Sequence, residues 1–363
     1  MSRFADLPLL DAHVHLGSHR AIAPLVELTA EAGADRLAIV CVPGTPERSL
    51  GANAAAFLAK SLYPDRVYVF GGLHYRAGRE TTPGELLRQA EELQAAGCDS
   101  LKMLEGKPST RKRIPYSLDD PIYDPLYSFF EETGLPIVSH VADPETFWDP
   151  ARVSPMARQH GWDYTDGTFP GREQLYAEVD GLLAKHPRLR LVLCHFYFLS
   201  NEPDRAEAFL KRWPNVSFDL TPGAEMYRNF SKDPARWRAF FLAHQDRLVF
   251  GTDNVAPREP WAETRPGMLD KVRMMRQFLE TAGPFEGFGT ATSREVIGLG
   301  LPASALPGIY SGNFERFVGV RPRPLVREAA ARLIHSTLAF ARATAGQADL
   351  AGELAEIERL LAG

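Results

Sequence analysis

Eight short runs of β-forming residues alternate with amphipathic helical stretches along most of this chain. The runs fall at residues 9–15, 36–42, 67–73, 100–104, 136–140, 190–195, 216–219 and 247–252. Between them, apolar residues recur at helical spacing over 25–32, 49–62, 84–96, 125–133, 173–186, 204–213 and 234–244. Gly33, Gly97, Gly134 and Pro187 follow these stretches, where helices must stop. Strands that alternate with helices build βαβ units and a parallel sheet. Eight such units predict an α/β fold, a closed (β/α)8 TIM barrel. An open doubly wound sheet is the alternative, but the GxGxxG turn that often follows its first strand is missing.

The longest interval between strand ends separates His140 from His195. A helix over 173–186 accounts for the usual crossover. The remainder, residues 141–172, reads as a lid insertion after strand 5. It carries Phe147, Trp148, Trp162, Tyr164 and Phe169, and in a barrel it emerges at the C-terminal face, where the chemistry sits. Beyond Asp253 the pattern loosens, and 256–267 and 283–289 read as loops. The tail over 324–361 reads as two helices split near 344–346, packed on the barrel or on a partner subunit. The expected domains are a barrel over 1–320, with its lid at 141–172, and a helical extension over 321–363.

Composition removes several function classes. With 41 basic and 46 acidic residues the net charge is −5, so binding of nucleic acid through bulk positive charge is excluded. Three cysteines without a CxxC spacing rule out a disulfide scaffold. No run approaches the roughly 20 apolar residues of a membrane helix, and the N-terminus lacks the apolar stretch of a signal peptide. A soluble cytoplasmic protein is expected, with a small-molecule substrate, no nucleic-acid or membrane partner, and a homodimer as an open alternative.

Candidate chemistry begins with His13 and His15. Residues i and i+2 of a strand share a face, so both imidazoles point into one space at the end of the first strand. Neutral imidazoles side by side suit a metal such as zinc; a hydrogen-bonded core pair is the alternative. His140 and His195 end the fifth and sixth runs, and Asp253 follows the eighth. Gly251 lets the backbone pass close to the centre. If the barrel closes, these five residues converge. Asp11 shares a strand face with His13 and is a candidate acceptor for a histidine N–H.

The set DAHVH at 11–15, SH at 139–140, CHF at 194–196, DRLVFGTD at 246–253 and SGNFERF at 311–317 resembles the amidohydrolase superfamily. It is most similar to the amidohydrolase-2 branch, which contains aminocarboxymuconate-semialdehyde decarboxylase. The resemblance implies a barrel with one divalent metal at its mouth, zinc first and manganese or another divalent ion as alternatives. It places His13, His15, His140 and Asp253 as ligands and His195 beside the metal as a proton carrier or oxyanion stabiliser. Three histidines and one carboxylate leave a Zn²⁺ site near charge +1, and water on zinc ionises near pH ~7. In binuclear relatives a lysine at the fourth strand bridges two metals; here Lys102 is expected to contact substrate instead.

Lys107, Arg111, Lys112 and Arg113 follow the fourth run and form either a solvated loop or a carboxylate-binding cluster, in which Arg113 is the expected substrate contact. Trp148 either stacks on a substrate ring or pins the lid. Glu225 and Tyr227 follow the seventh run and are expected at the mouth. The implied reaction is hydrolysis of a C–O or C–N bond of a small, carboxylated or cyclic substrate, with Asp253 and His195 catalytic. The alternatives are a metal-dependent non-oxidative decarboxylase and, last, a barrel that only binds.

Overall fold

The computed structural model describes residues 4, 6–44, 46–76, 78–223, 225–256, 261–287, 295–344 and 346–362. They form two compact units. The first comprises Met1–Ile39, Asp65–Tyr68 and Leu193–Pro322; the second comprises Val40–Pro64, Val69–Val192 and Arg323–Gly363.

In the first unit, strand β1 (Leu10–Leu16) is almost wholly buried, as its apolar run requires. It pairs in parallel with β2 (Arg36–Val40), with Leu10 opposite Arg36 and Val14 opposite Ile39. Two further parallel strands of this unit, β7 (Val216–Asp219) and β8 (Leu248–Val249), place Phe218 opposite Leu248 and Asp219 opposite Val249. After β8 the chain turns along β1. The Ala12 N–H donates to Phe250 O at 3.0 Å, and a short strand β9 (Asn254–Ala256) pairs His15 with Val255. Gly251 is required at this passage. A Cβ there would lie 2.9 Å from His13 Cβ and 3.0 Å from Thr221 Cγ2.

The loops expected over 256–267 and 283–289 are corrected by this unit. Residues 257–260, 288 and 289 lie outside the described residues. The helix Trp261–Glu280 begins within the first stretch and carries Pro266. Its buried stripe of Met268, Leu269, Val272, Met275, Phe278 and Leu279 offsets the one backbone hydrogen bond that Pro266 removes. The second stretch enters β10 (Ala282–Glu286), which pairs antiparallel with β11 (Glu295–Leu299). The strand β10 is only half-buried at alternate positions and contains Gly283 and Pro284, so no buried period announces it.

In the second unit, β3 (Val67–Gly72) lies parallel to β4 (Ser100–Gly106), with Gly72 opposite Lys102. Next comes β5 (Ile137–Val141), with Lys102 opposite Val138 and Met103 opposite Ser139. The short β6 (Leu191–Leu193) follows the helix Arg172–Lys185. The insertion has its own small core of Phe147, Val153, Ala157 and Tyr164, flanked by Trp148, Trp162 and Phe169. Two tail helices, Arg327–Ala343 and Ala348–Ala362, pack against each other and on the helix Pro46–Leu62. Lys60 and Asp99 form a fully buried ion pair at 2.6 Å. Asp99 also accepts from the Val69 and Arg323 N–H groups, which ties the strands to the start of the tail. Among the described residues no helix is long and apolar enough to cross a membrane.

Candidate metal centre

Strand β1 turns His13 and His15 to one side, as i and i+2 must. Their rings lie 5.2 Å apart, centroid to centroid. Asp253 meets them with Oδ1, 3.1 Å from His15 Nε2 and 3.6 Å from His13 Nε2. Ligand atoms of these three residues all lie within 4.8 Å of one another.

His13 carries the deciding detail. Its Nδ1 lies 2.8 Å from Asp219 Oδ2, so in the neutral ring Nδ1 holds the proton and Nε2 keeps its lone pair. That lone pair faces a carboxylate oxygen. Two acceptors cannot satisfy each other, so the arrangement needs a proton or a cation between them. Burial by itself would raise the Asp253 carboxyl, but His15, His13 and His195 outweigh it and hold the pKa well below the usual range. An ionised carboxylate with two imidazole nitrogens around one point is a donor set that fits a divalent cation.

A second grouping, His13, Cys194 and Asp219, is equally compact, but its carboxylate is already engaged. Asp219 Oδ1 accepts from the His195 N–H at 2.7 Å, the Thr221 N–H at 3.2 Å and the Thr221 hydroxyl. Burial would raise this carboxyl too, yet its partners, the His13 hydrogen bond first, bring it down to about 2. Asp219 therefore orients His13 and anchors His195. The sequence showed it only as an aspartate ending a β-run, with no motif to distinguish it.

His195 is aimed by an unusual backbone. His195, Phe196, Tyr197 and Phe198 all have φ between 51° and 56°. Each such residue costs roughly 1–2 kcal/mol. Packing offsets that strain. Phe196 is fully buried and meets Phe218, Phe230 and Trp237 at 5.0, 4.9 and 5.4 Å, within a larger aromatic cluster. The result places the His195 ring 6.0 Å from that of His13, with Nδ1 3.3 Å from Thr221 O. Asp253 also has positive φ, 54°, and its N–H donates to His13 O at 2.8 Å.

The acceptor role expected of Asp11 is corrected. Asp11 accepts from the Thr252 N–H at 2.9 Å, the Thr252 hydroxyl at 2.6 Å and the His13 backbone N–H at 3.3 Å. It clamps the 251–253 turn to β1, while the His13 Nδ1 proton goes to Asp219. Burial raises its carboxyl to about 6 despite these bonds. Lys271, which no motif marks, donates to Asp253 O at 3.1 Å.

Tyr227 is corrected as well. It is fully buried, its hydroxyl donates to Leu220 O at 2.8 Å, and its ring stands edge-on to Phe278, so it packs in the core and not at an open mouth. Glu225 is half-buried and sits at the start of the short helix Met226–Phe230.

The remaining candidates belong to the second unit. His140 turns Nε2 toward Ala142 O at 3.0 Å and Asp143 Oδ1 at 3.2 Å, which leaves Nδ1 with the lone pair. Asp143 also takes the Lys107 ammonium and the Tyr164 hydroxyl, both at 2.5 Å. Lys107 and His140 outweigh its burial and set its carboxyl at about 2. Lys102 is buried in β4. The basic stretch is not a free anion-binding cluster. Lys107 is paired with Asp143 and Arg111 with Glu178, while Lys112 stands 3.6 Å over the Phe169 ring. Lys112 and Arg113 are both exposed, and neither has an ion-pair partner among the described residues. Trp148 donates Nε1–H to Pro170 O at 3.1 Å and packs on Tyr164 at 4.9 Å.

The amidohydrolase family profile matches residues 10–320. The chain belongs to that family. The match takes in His13, His15, His140, His195 and Asp253 together. Three solved structures share its architecture. An uncharacterised TIM-barrel protein from Bordetella bronchiseptica is 17% identical, with a TM-score of 0.53 over 86% of this chain and 98% of its own. The apo IDCase of Metarhizium anisopliae is 16% identical, with a TM-score of 0.51 over 86% and 97%. The 4-oxalomesaconate hydratase of Rhodopseudomonas palustris is 13% identical, with a TM-score of 0.50 over 85% and 95%. Likeness at this level shows the fold, a (β/α)8 TIM barrel. No curated protein matches the chain.

Proposed function

We propose that this amidohydrolase-family chain is a metal-dependent hydrolase that cleaves a C–O or C–N bond of a small, carboxylated or cyclic substrate. The observation that carries the reading is the convergence of His13 Nε2, His15 Nε2 and Asp253 Oδ1 on one point. These residues would hold one divalent ion, zinc first. His140, by the sequence resemblance, would add its Nδ1. The chemistry such an ion supplies when bound is Lewis acidity, which polarises a carbonyl and makes water more acidic. Asp253 would accept a proton from water with its carboxylate, and His195 would hand a proton to the leaving group. Asp219 keeps His13 in the ligating tautomer, and Thr221 fixes the His195 ring. We assign Arg113 to a substrate carboxylate, which it can meet bidentately, with Lys102, Glu225 and Trp148 as further proposed contacts.

The alternative reaction for the same residues is non-oxidative decarboxylation. There the C–CO₂ bond breaks, and a proton from His195 replaces carbon dioxide at carbon. The test is metal content by mass spectrometry on protein purified without chelator, followed by a screen of carboxylated lactones and amides with the metal supplied. About one equivalent of metal and turnover that consumes water support the proposal. Release of carbon dioxide without water consumption selects the decarboxylase. Absence of metal after reconstitution overturns both.

A further inference from the structure

A second cavity lies wholly in the second unit, apart from every residue assigned above. Its volume is about 500 Å³, and the helices Pro46–Leu62, Pro83–Ala95 and Arg327–Ala343 wall it. That size falls in the range of small-molecule sites. Phe57 and Leu93 form a buried apolar floor, and the half-buried Leu333 and exposed Phe340 of the tail helix line the other side.

One ring with polar atoms enters this cavity, whose lining mixes apolar and polar side chains. The His74 backbone is fixed at both ends by one side chain, with its N–H on Gln89 Oε1 at 3.0 Å and its carbonyl accepting from Gln89 Nε2 at 3.1 Å. The neighbouring polar side chains are spent: Asn53 is bound to both backbone groups of Gly72, and Thr337 to Leu333 O. The His74 ring lines the cavity, and among the described residues its nitrogens make no hydrogen bond. Among the described residues, the charged side chains that line it form two pairs, Arg76 with Glu85 and Arg88 with Glu92. They cancel, so an ion gains nothing by entering.

We propose that this cavity binds an uncharged aromatic compound bearing one hydroxyl or amide group, with its ring between Phe57 and Phe340 and its polar group on His74. Burial, with Arg88 adding to it, lowers the His74 pKa from the ordinary histidine value. The neutral imidazole offers one donor and one acceptor, which matches a hydroxyl or an amide. Because the tail helix supplies one wall, an occupant also holds that helix down.

The test is a calorimetric titration of the full chain with phenol and with benzamide. Four proteins are compared: the wild type, Ala54→Trp, His74→Phe and the His13→Ala/His15→Ala double variant. Saturable binding is expected in the wild type, weakened at least tenfold by Ala54→Trp, which fills the cavity. His74→Phe keeps the shape and loses the hydrogen bond, a loss of about threefold to tenfold. The double variant is expected to bind as the wild type does, so failure of the metal reading leaves this inference standing. Should Ala54→Trp fail to fold, Leu333→Trp fills the cavity from the half-exposed tail helix. No saturable binding, equal binding in the filled variants, or loss of binding in the His13/His15 variant would overturn the proposal.

Discussion

Each unit has a histidine beside a carboxylate whose pKa is depressed, and the two arrangements differ in how their atoms are occupied. Around Asp143, every neighbour is a donor: His140, Lys107 and Tyr164 all point hydrogens at the carboxylate. Around Asp253, the neutral His13 ring turns its Nε2 lone pair inward instead, because Asp219 takes its Nδ1 proton, and His15 Nε2 joins it 3.1 Å from the carboxylate. Saturated donors make a structural clamp that pins Tyr164 of the insertion to the end of β5. An ionised carboxylate and two imidazole nitrogens around one point make a place for a cation. Low carboxylate pKa values occur in both and do not separate them; the count of donors and acceptors does.

The sharpest way to break this contrast is to exchange the losses. His13→Ala/His15→Ala is expected to lower metal content from about one equivalent to background, with the fold retained by circular dichroism. If Asp143→Asn strips the metal equally while Asp253→Asn does not, the assignment of the two carboxylates is reversed.

The clamp is probed next. Lys107→Met leaves a buried carboxylate without its cation, and truncating one partner of such a pair costs about 3–5 kcal/mol. Urea denaturation is expected to show that loss with metal content unchanged. Asp219→Asn has the opposite profile: metal affinity falls about 10- to 100-fold through the freed His13 tautomer, measured by competition with a chromogenic chelator.

Acid separates the two regions as well. Asp143 and Asp219 have folded-state values of about 2, below the ordinary carboxylate value of 3.8. Their stabilisation is therefore full above about pH 4 and fades as pH falls through 2. Imidazoles must be neutral to ligate, and unperturbed histidine titrates near ~6.5. Bound metal is expected to leave on acidification well before the fold does, so simultaneous loss by metal assay and far-ultraviolet dichroism contradicts the contrast. The smallest effect is expected at Trp148→Ala. It removes one hydrogen bond and ring packing at the insertion, for about 1–3 kcal/mol of local stability, followed by proteolysis of residues 141–172.

Much of this could be read in the chain because it follows local rules. The buried runs of β1 to β7 and the crossover helices declared themselves through periodicity. His13 and His15 share a face because a strand has a period of two, and Gly251 was legible as a close passage because only glycine lacks a Cβ. The helix Trp261–Glu280 was hidden by Pro266, and β10 by its half-exposed pattern with Gly283 and Pro284. In both cases local chemistry spoke for a loop, and packing decided otherwise.

The tertiary structure alone decided which partner each polar atom has. Asp11 and Asp219 are both aspartates in β-runs, yet one clamps Thr252 and the other orients His13, because only the fold fixes what stands across from each. It also decided that Tyr227 is core and that Lys107 and Arg111 are consumed in ion pairs, since burial and charge pairing depend on residues distant in sequence. The left-handed run at His195–Phe198 is the extreme case: no local preference favours it, and the aromatic packing around Phe196 holds it. Sequence by itself set the order of elements and the residue types available for chemistry, through periodicity and side-chain size. Direction, burial and hydrogen-bond partnership came from contacts across the chain, which local sequence does not encode.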